Sequence, residues 1–298
     1  MTAREGQTFH GVSRVIRYVN FVKLPHTLFA LPFALVGVVL ASYHTPVTLR
    51  EVGWVVIAFT AARFAAMGFN RIADREIDAL NPRTQMRELP SGALGVTEAM
   101  IAVAVACGVF LFAAFELNHV CFLLAPIALG WVFFYSFTKR FTRWSHVVLG
   151  VGLSIAPVGG YLAVTGTWAS PWWMLCVLAI AVATWVAGFD ILYALQDVEF
   201  DRGNALHSIP VRWGERGSLL AARALHAITI IALASVGFAV GGGAIYTAGV
   251  VVAAGLLLYE HTLVKPGDIS RLDAAFFTMN GIISIVYFGF VFAERVAS

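Results

Sequence analysis

The chain from Trp172 to Asp201 reads WWMLCVLAIAVATWVAGFDILYALQDVEFD. Up to Tyr193 this segment carries one charged residue, Asp190. An apolar run of about 17–25 residues is long enough to cross a bilayer as a helix. The run leads directly into Asp197-Val198-Glu199-Phe200-Asp201. The sequence therefore predicts a membrane helix that ends in a cluster of carboxylates.

The composition extends this prediction to the whole chain. Of its 298 residues, 59% are hydrophobic and only 12% are charged, and the mean hydropathy is +0.81. Soluble domains carry roughly 25% charged residues. The net charge of +3 is too small to indicate a nucleic-acid partner. We therefore predict an all-α, polytopic membrane protein in contact with membrane lipid.

The number and direction of the crossings follow from the apolar runs and the basic residues. The runs cover roughly residues 24–43, 52–72, 97–115, 119–137, 146–165, 172–193, 218–240, 243–260 and 272–293. With a cytoplasmic N-terminus, 17 of the 20 Lys and Arg residues fall on the cytoplasmic side, and Arg50, Arg63 and Arg295 are the others. The positive-inside rule thus predicts nine transmembrane helices in the inner (plasma) membrane, with the N-terminus in and the C-terminus out.

A second acidic cluster, Asp74 to Asp78, follows the run at 52–72. It repeats the Asp-x-Glu-apolar-Asp pattern 123 residues before Asp197. Carboxylates cost about 2.5–3.5 kcal/mol each at the centre of a spanning helix, so matched clusters near a bilayer indicate a chemical use. Residues at i, i+4 and i+8 share nearly one helix face, about 6 Å apart along the axis. We therefore expect two columns of oxygen ligands, Asn70, Asp74 and Asp78 in one and Tyr193, Asp197 and Asp201 in the other.

Oxygen-only ligand sets favour Mg²⁺, which keeps several waters and bridges to substrate phosphates. Two facing columns would form a cage for Mg²⁺ and a phosphate-bearing substrate. Both columns lie at the cytoplasmic membrane surface and lead into apolar helices. We therefore expect a substrate with a charged head and a lipid tail, such as a polyprenyl diphosphate. Loss of diphosphate gives an allylic cation that aromatic rings, among them Tyr193, can shield.

Two ionisable residues lie deeper in the same helices. Arg63 precedes Asn70 by seven residues, and Asp190 precedes Asp197 by seven, so each shares the face of its column. Arg63 can reach an anion held through metal, or form a salt bridge for folding. Asp190 can orient a substrate or accept a proton. Its alternative role is that of a structural partner for a cation such as Arg140 or Arg63.

The loops after the two acidic clusters resemble each other. The segments at about 73–96 and 194–217 both contain basic residues, a proline and a glycine. This parallel predicts a single domain, 1–298, with an internal repeat at roughly 24–140 and 146–260. Arg83, Arg87 and the adjacent cations Lys139 and Arg140 either serve the site or act as ordinary positive-inside anchors.

The two clusters resemble the paired signatures of the UbiA superfamily of intramembrane prenyltransferases. These are Asn-x₃-Asp-x₃-Asp ending at Asp78 and Tyr-x₃-Asp-x₃-Asp ending at Asp201. The resemblance extends through Leu24–Thr27, Arg83–Gly92, Tyr135–Arg140 and Tyr193–Pro210. It implies nine helices around a central cavity, Mg²⁺ dependence and transfer of a prenyl chain to a ring carbon.

The resemblance also implies roles by position. Metal and diphosphate would be held by Asn70, Asp74, Asp78, Asp197 and Asp201. Diphosphate contacts would come from Arg63, Arg87 and Lys139. Asp190 and Arg140 would lie near an aromatic acceptor with a phenolic hydroxyl, and Arg140 would be a partner for an acceptor carboxylate.

The acceptor implied first is 4-hydroxybenzoate in quinone biosynthesis, because the pattern looks most like bacterial 4-hydroxybenzoate polyprenyltransferases. Asn70-Arg71 and Leu24-Pro25-His26-Thr27 depart from their usual Asn-Asp and Asp-Lys-Pro and point towards relatives that prenylate a dihydroxynaphthoate for menaquinone. A non-aromatic acceptor also stays open. The alternative from another class is a cation transporter, which predicts acids near the bilayer midplane or on both faces.

Overall fold

The computed structural model describes residues 13–272 and 278–298, without the side chains of 14, 15 and 24–29. These residues form α-helices, and no β-strand occurs among them. The helices are α1 (Arg14–Phe21), α2 (Leu24–Ala41), α3 (Leu49–Ala73), α4 (Arg75–Leu80), α5 (Val96–Leu117), α6 (His119–Thr138), α7 (Ser145–Thr165), α8 (Trp173–Tyr193), α9 (Val198–Gly203), α10 (Ile209–Val240), α11 (Ala244–Leu263) and α12 (Asn280–Ala297). A 3₁₀ turn, Ala194–Asp197, joins α8 to α9.

Eight helical segments in the described residues are long and apolar enough to cross a membrane. They correspond to α3, α5, α6, α7, α8 continued through α9, α10, α11 and α12. This confirms the prediction of an all-helical, polytopic membrane protein. The first predicted span coincides with α2, of which Ala30–Ala41 is described as an apolar stretch shorter than a crossing. The ninth crossing and the orientation of the termini therefore remain predictions.

Local sequence explains where several helices begin and end. Thr48 begins α3 with a capping box, in which its side chain accepts from the Glu51 N–H and Glu51 accepts from the Thr48 N–H. The segment α10 begins at Ile209, where the Ser208 side chain accepts from the Val211 N–H. Gly214, with a φ of +68° and a ψ of −177°, separates this short first helix from the long helix that contains the predicted span at 218–240. Gly241 ends α10 with a φ of +68°, a left-handed conformation that glycine adopts without a Cβ penalty.

The spanning helices form a closed ring. Each packs against its neighbours along the chain, and α12 returns to pack against α2. At that junction the guanidinium of Arg295 donates to Ser42 Oγ at 2.9 Å and to the Ser42 carbonyl at 3.1 Å. A buried aromatic set, with Phe33 4.6 Å from Trp185 and 6.0 Å from Tyr287 between ring centroids, joins α2, α8 and α12.

Small residues let α7 approach its neighbours closely. A Cβ at Gly160 would collide with the carbonyl oxygen of Ala34 in α2, and one at Gly150 would collide with that of Ala183 in α8. Such contacts between small residues are typical of membrane helices, where backbone proximity supplies the packing energy. The close approach fixes the register of α7 and α8 near the ends that carry polar side chains.

Candidate active site

Both acidic clusters interrupt their helices at the first aspartate. Asp74 lies between α3 and α4 with φ −97° and ψ 6°, and Asp197 lies between the 3₁₀ turn and α9 with φ −102° and ψ 4°. These angles fall in the bridge region, between helix and strand. The sequence predicted straight columns, but each column bends at its middle residue. The shared break gives both clusters one local geometry.

In the first cluster each carboxylate is held by an arginine. Asn70 Nδ2 donates to Asp74 Oδ2 at 2.9 Å, and Arg140 donates to Asp74 Oδ1 at 3.3 Å and to the Ala73 carbonyl at 2.6 Å. Arg87 contacts both oxygens of Asp78, at 2.7 and 2.8 Å. Asp78 is buried, whereas the Asp74 side chain is 26% exposed. The Asp78 carboxylate is therefore held more firmly than that of Asp74.

In the second cluster Asp197 is held by the loop that follows the first. Arg83 donates from Nε to Asp197 Oδ1 at 2.9 Å and from a terminal nitrogen to Oδ2 at 2.7 Å. Asn81 Nδ2 donates to Oδ1 at 3.3 Å. Arg83 also donates to the Tyr193 hydroxyl at 3.2 Å, with its guanidinium 5.5 Å from the centre of that ring. This buried network ties the second predicted column to the loop that follows the first cluster.

The loop between α6 and α7 completes the site. Lys139 Nζ lies 3.6 Å from Asp201 Oδ2, and the Lys139 carbonyl accepts from the His207 N–H at 2.7 Å. Since Arg140 contacts Asp74, the adjacent cations reach opposite clusters. Three loops, after α3, α6 and α8, therefore meet at one end of the bundle.

Carboxylates and cations balance at this end. The four pairs are Asp74–Arg140, Asp78–Arg87, Asp197–Arg83 and Asp201–Lys139. Burial and the nearby Asp78 charge raise the pKa of Asp74, although Arg140 opposes the shift. Burial lowers the pKa of Lys139, but the charges of Asp201, Asp197 and Asp190 outweigh it and leave that pKa above its ordinary value. The site thus holds densely packed opposite charges.

A deeper layer of ionisable groups lies inside the helices. Asp190 Oδ2 lies 2.7 Å from His146 Nδ1, and His146 is completely buried. Arg63 carries a buried Nε that has no hydrogen-bond partner among the described residues. Tyr135 of α6 lies within electrostatic range of both Arg63 and Asp190. Arg63, Tyr135, His146 and Asp190 thus form a layer of polar side chains, here called the polar floor, on the deeper side of the four charge pairs.

The observed contacts can be compared with the side-chain partners expected from the sequence. Neither Arg140 nor Arg63, named as possible structural partners of Asp190, contacts it among the described residues, and the hydrogen-bond partner of Asp190 is His146. Sequence reasoning missed His146, since a lone histidine at the start of a span has no periodic partner to reveal it. It also missed Asn81, although the Asn81-Pro82-Arg83 segment marked the loop that holds Asp197.

The donor set fits a hard divalent cation. It consists of carboxylate and carboxamide oxygens, the ligands that Mg²⁺ prefers. Asp201 Oδ2 is buried and accepts no hydrogen bond from the described residues, and Lys139 Nζ lies 3.6 Å from it. The described part of the chain contains no group of three His, Cys, Asp or Glu close enough to ligate one ion, and each of the four aspartates is paired with a cation.

A family profile described as the UbiA prenyltransferase family matches residues 30–282. A 4-hydroxybenzoate octaprenyltransferase from Sodalis glossinidius is 31% identical over 229 residues, which are 76% of this chain and 77% of the relative.

Solved structures give the same result for the fold. A UbiA homologue from Aeropyrum pernix K1, in its apo form, superposes with a TM-score of 0.82 at 32% identity, covering 91% of this chain and 97% of that one. A UbiA homologue from Archaeoglobus fulgidus, bound to GPP and Mg²⁺, superposes with a TM-score of 0.71 at 22% identity, covering 94% and 99%.

Proposed function

Because the chain belongs to the UbiA prenyltransferase family, we propose that it transfers a polyprenyl chain from polyprenyl diphosphate to a ring carbon of 4-hydroxybenzoate. Family membership makes the protein a prenyltransferase rather than a cation transporter. The observation that carries the finer proposal is the convergence of four carboxylates and four cations from three loops at one end of the helix ring.

The carboxylates are the proposed metal ligands. Mg²⁺ would be held by Asn70, Asp74, Asp78, Asp197 and Asp201. When bound, Mg²⁺ stabilises the charge that develops on a departing diphosphate. The homologue from Archaeoglobus fulgidus, whose structure contains GPP and Mg²⁺, supports this assignment by its fold.

The cations are the proposed diphosphate ligands. Arg87 and Lys139 now contact Asp78 and Asp201, and each can exchange a carboxylate oxygen for a phosphate oxygen when substrate arrives. Such an exchange keeps every charge paired, which avoids the large cost of an isolated buried ion. Arg63, whose buried Nε has no hydrogen-bond partner among the described residues, is proposed to contact the same anion from the deeper side.

The acceptor would lie on the deeper, partly apolar side of the cluster. There the C–O bond to diphosphate breaks with its electron pair, and Tyr193 is proposed to shield the allylic cation. The acceptor carbon beside the phenolic hydroxyl bonds to that cation and loses its proton, for which Asp190 is the nearby carboxylate. Arg140, which is 41% exposed beside Asp74, is the proposed partner of an acceptor carboxylate.

The proposal includes the membrane topology predicted from the sequence. Nine crossings around a central cavity, an N-terminus in and a C-terminus out would place the site at the cytoplasmic face of the inner membrane. The matched backbone breaks at Asp74 and Asp197 support a single domain with repeats at about 24–140 and 146–260.

A dihydroxynaphthoate is the second acceptor to test. Arg71, which occupies the position of an aspartate in the usual Asn-Asp pair, is buried at the end of α3. A buried cation there changes the charge next to Asn70, so the ligand set differs from that of the 4-hydroxybenzoate pattern.

The test is an assay of the purified chain in detergent with Mg²⁺ and geranyl diphosphate. 4-Hydroxybenzoate and 1,4-dihydroxy-6-naphthoate are offered separately, and products are identified by mass. We expect a prenylated 4-hydroxybenzoate that disappears when EDTA is added and returns with excess Mg²⁺. If only the naphthoate is prenylated, the proposed acceptor becomes the dihydroxynaphthoate instead of 4-hydroxybenzoate. If neither compound is prenylated by protein that still binds geranyl diphosphate, both proposed acceptors are contradicted.

A further inference from the structure

His146 and Asp190 form a polar pair in which Asp190 has a proposed role and His146 has none so far. His146 Nδ1 lies 2.7 Å from Asp190 Oδ2. The His146 side chain is 0% exposed, whereas that of Asp190 keeps 16% of its surface exposed. This pair is sealed at the histidine and open at the carboxylate.

The packing of α7 on α8 fixes this contact. Gly150 lies one helical turn after His146, and Ala183 lies two turns before Asp190, so each pair shares a helix face. A Cβ at Gly150 would collide with the Ala183 carbonyl oxygen, which shows how closely the two backbones approach. The helix backbones therefore bring His146 and Asp190 close enough for their side chains to meet.

The hydrogen bond also fixes the imidazole tautomer. The Asp190 carboxylate accepts, so His146 Nδ1 donates. His146 Nε2 is buried and has no hydrogen-bond partner among the described residues. With the proton on Nδ1, only a lone pair is left unpartnered at Nε2, whereas the other tautomer would bury an unsatisfied N–H and break the bond to Asp190.

The hydrogen bond to His146 occupies Asp190 Oδ2 and leaves the second carboxylate oxygen, Oδ1, without a partner in this pair. Asp190 Oδ1 accepts no hydrogen bond from any described residue. The charged and titratable groups around the pair include Lys139, Tyr135 and Asp201, which interact electrostatically with Asp190 or His146. None of the three donates to Oδ1, so this oxygen is available on the side of the polar floor.

We propose that His146 is a positioning residue that holds Asp190 with Oδ1 turned to the acceptor, where it takes up the proton lost during prenyl transfer. This inference rests on the proposed function and adds to it a residue that acts through Asp190. It makes a specific demand: His146 should affect the use of the acceptor and leave the binding of the prenyl diphosphate unchanged.

The test compares variants of the full chain in detergent with Mg²⁺ and geranyl diphosphate, using whichever acceptor the wild-type protein prenylates. His146→Leu removes the donor and fills the space. A hydrogen bond to a charged group contributes about 1.5–3 kcal/mol, so kcat/KM for the acceptor should fall by about 10- to 100-fold. KM for geranyl diphosphate should stay within about twofold. His146→Asn, whose amide nitrogen can replace Nδ1, should recover most of the loss.

Asp190→Asn supplies the second half of the comparison. If His146 acts through Asp190, adding His146→Leu to Asp190→Asn should lower activity by no more than about twofold further. Should His146→Leu not fold, His146→Gln takes its place, because its amide corresponds to Nε2 and not to Nδ1. His226→Leu is the matched control, since His226 is also buried but contacts His261 and the Trp185 carbonyl.

Several outcomes would overturn the proposal. These are unchanged acceptor kinetics in His146→Leu, equal losses for both substrates, full additivity with Asp190→Asn, or the same loss in His226→Leu. Failure of His146→Asn to recover activity would show that shape rather than the donor matters. An active wild-type protein with any of these results leaves the proposed function standing. A wild-type protein that prenylates neither acceptor removes both.

Discussion

At the scale of single residues, the site is governed by how each carboxylate is held. The Asp74–Arg140 pair is partly exposed, and such pairs contribute about 0–1 kcal/mol to stability. The Asp197–Arg83 pair is bidentate and buried, with 10% and 9% of the side chains exposed. Two aspartates with the same proposed role in metal binding therefore differ in their importance for folding.

Asp74→Asn should remove activity and spare the fold. The amide keeps the shape but loses the negative charge with which Asp74 would attract a hard cation. We expect kcat to fall by at least about 100-fold, with the unfolding temperature in detergent unchanged within error. Turnover and thermal unfolding measured on one preparation test this. Near-normal kcat at saturating Mg²⁺ would remove Asp74 from the ligand set.

Asp197→Ala should cost stability as well as activity. It leaves Arg83 buried without its carboxylate, and breaking a buried pair costs about 3–5 kcal/mol. Replacing both partners, as in Arg83→Met with Asp197→Leu, should restore part of the stability and none of the activity. Glu76→Ala is the control, because Glu76 forms an exposed pair with Arg75. An Asp197→Ala protein as stable as this control would contradict the argument.

At the scale of the helices, two backbone breaks and one close helix contact shape the end of the bundle that carries both acidic clusters. The breaks at Asp74 and Asp197 turn the acidic segments, and the Gly150–Ala183 contact fixes α7 against α8. Apolar runs predicted these helices well. The breaks were not predicted, because an aspartate in the bridge region is compatible with a helical pattern on either side of it.

Gly150→Ala should perturb the packing of α7 on α8. The added methyl group would collide with the Ala183 carbonyl, and overpacking costs about 1–3 kcal/mol. Because the shift would separate His146 from Asp190, acceptor turnover should fall together with the unfolding temperature. Gly159→Ala on the same helix meets only open space and is the matched control. Equal behaviour of the two variants would show that α7 can adjust without cost.

At the scale of the whole molecule, the ring is closed by its ends. The C-terminal helix α12 packs on α2, and Arg295 joins them through Ser42 and the Tyr43 ring, whose centre lies 5.0 Å from the guanidinium. This junction links segments that lie more than 250 residues apart in the chain. Closure is therefore a property of the complete fold.

Arg295→Ala should weaken that closure. Loss of a charged donor from two oxygen acceptors costs about 1.5–3 kcal/mol, so the unfolding temperature should fall by several degrees. Arg50→Ala provides the comparison, because the Arg50 side chain is 68% exposed in its pair with Glu116 and exposed pairs add little. If both variants unfold at the same temperature as the wild-type protein, Arg295 does not hold the ring together.

The sequence by itself determined the helical membrane architecture, the acidic clusters and their membership of one family. These properties depend on apolar length, on charge and on short motifs, all of which are local along the chain. Only the tertiary structure decided that Arg83 holds Asp197 and that His146 holds Asp190. The first pair is separated by 114 residues and the second by 44. Such partners are chosen by helix packing and loop return, and no periodicity in the sequence records either one.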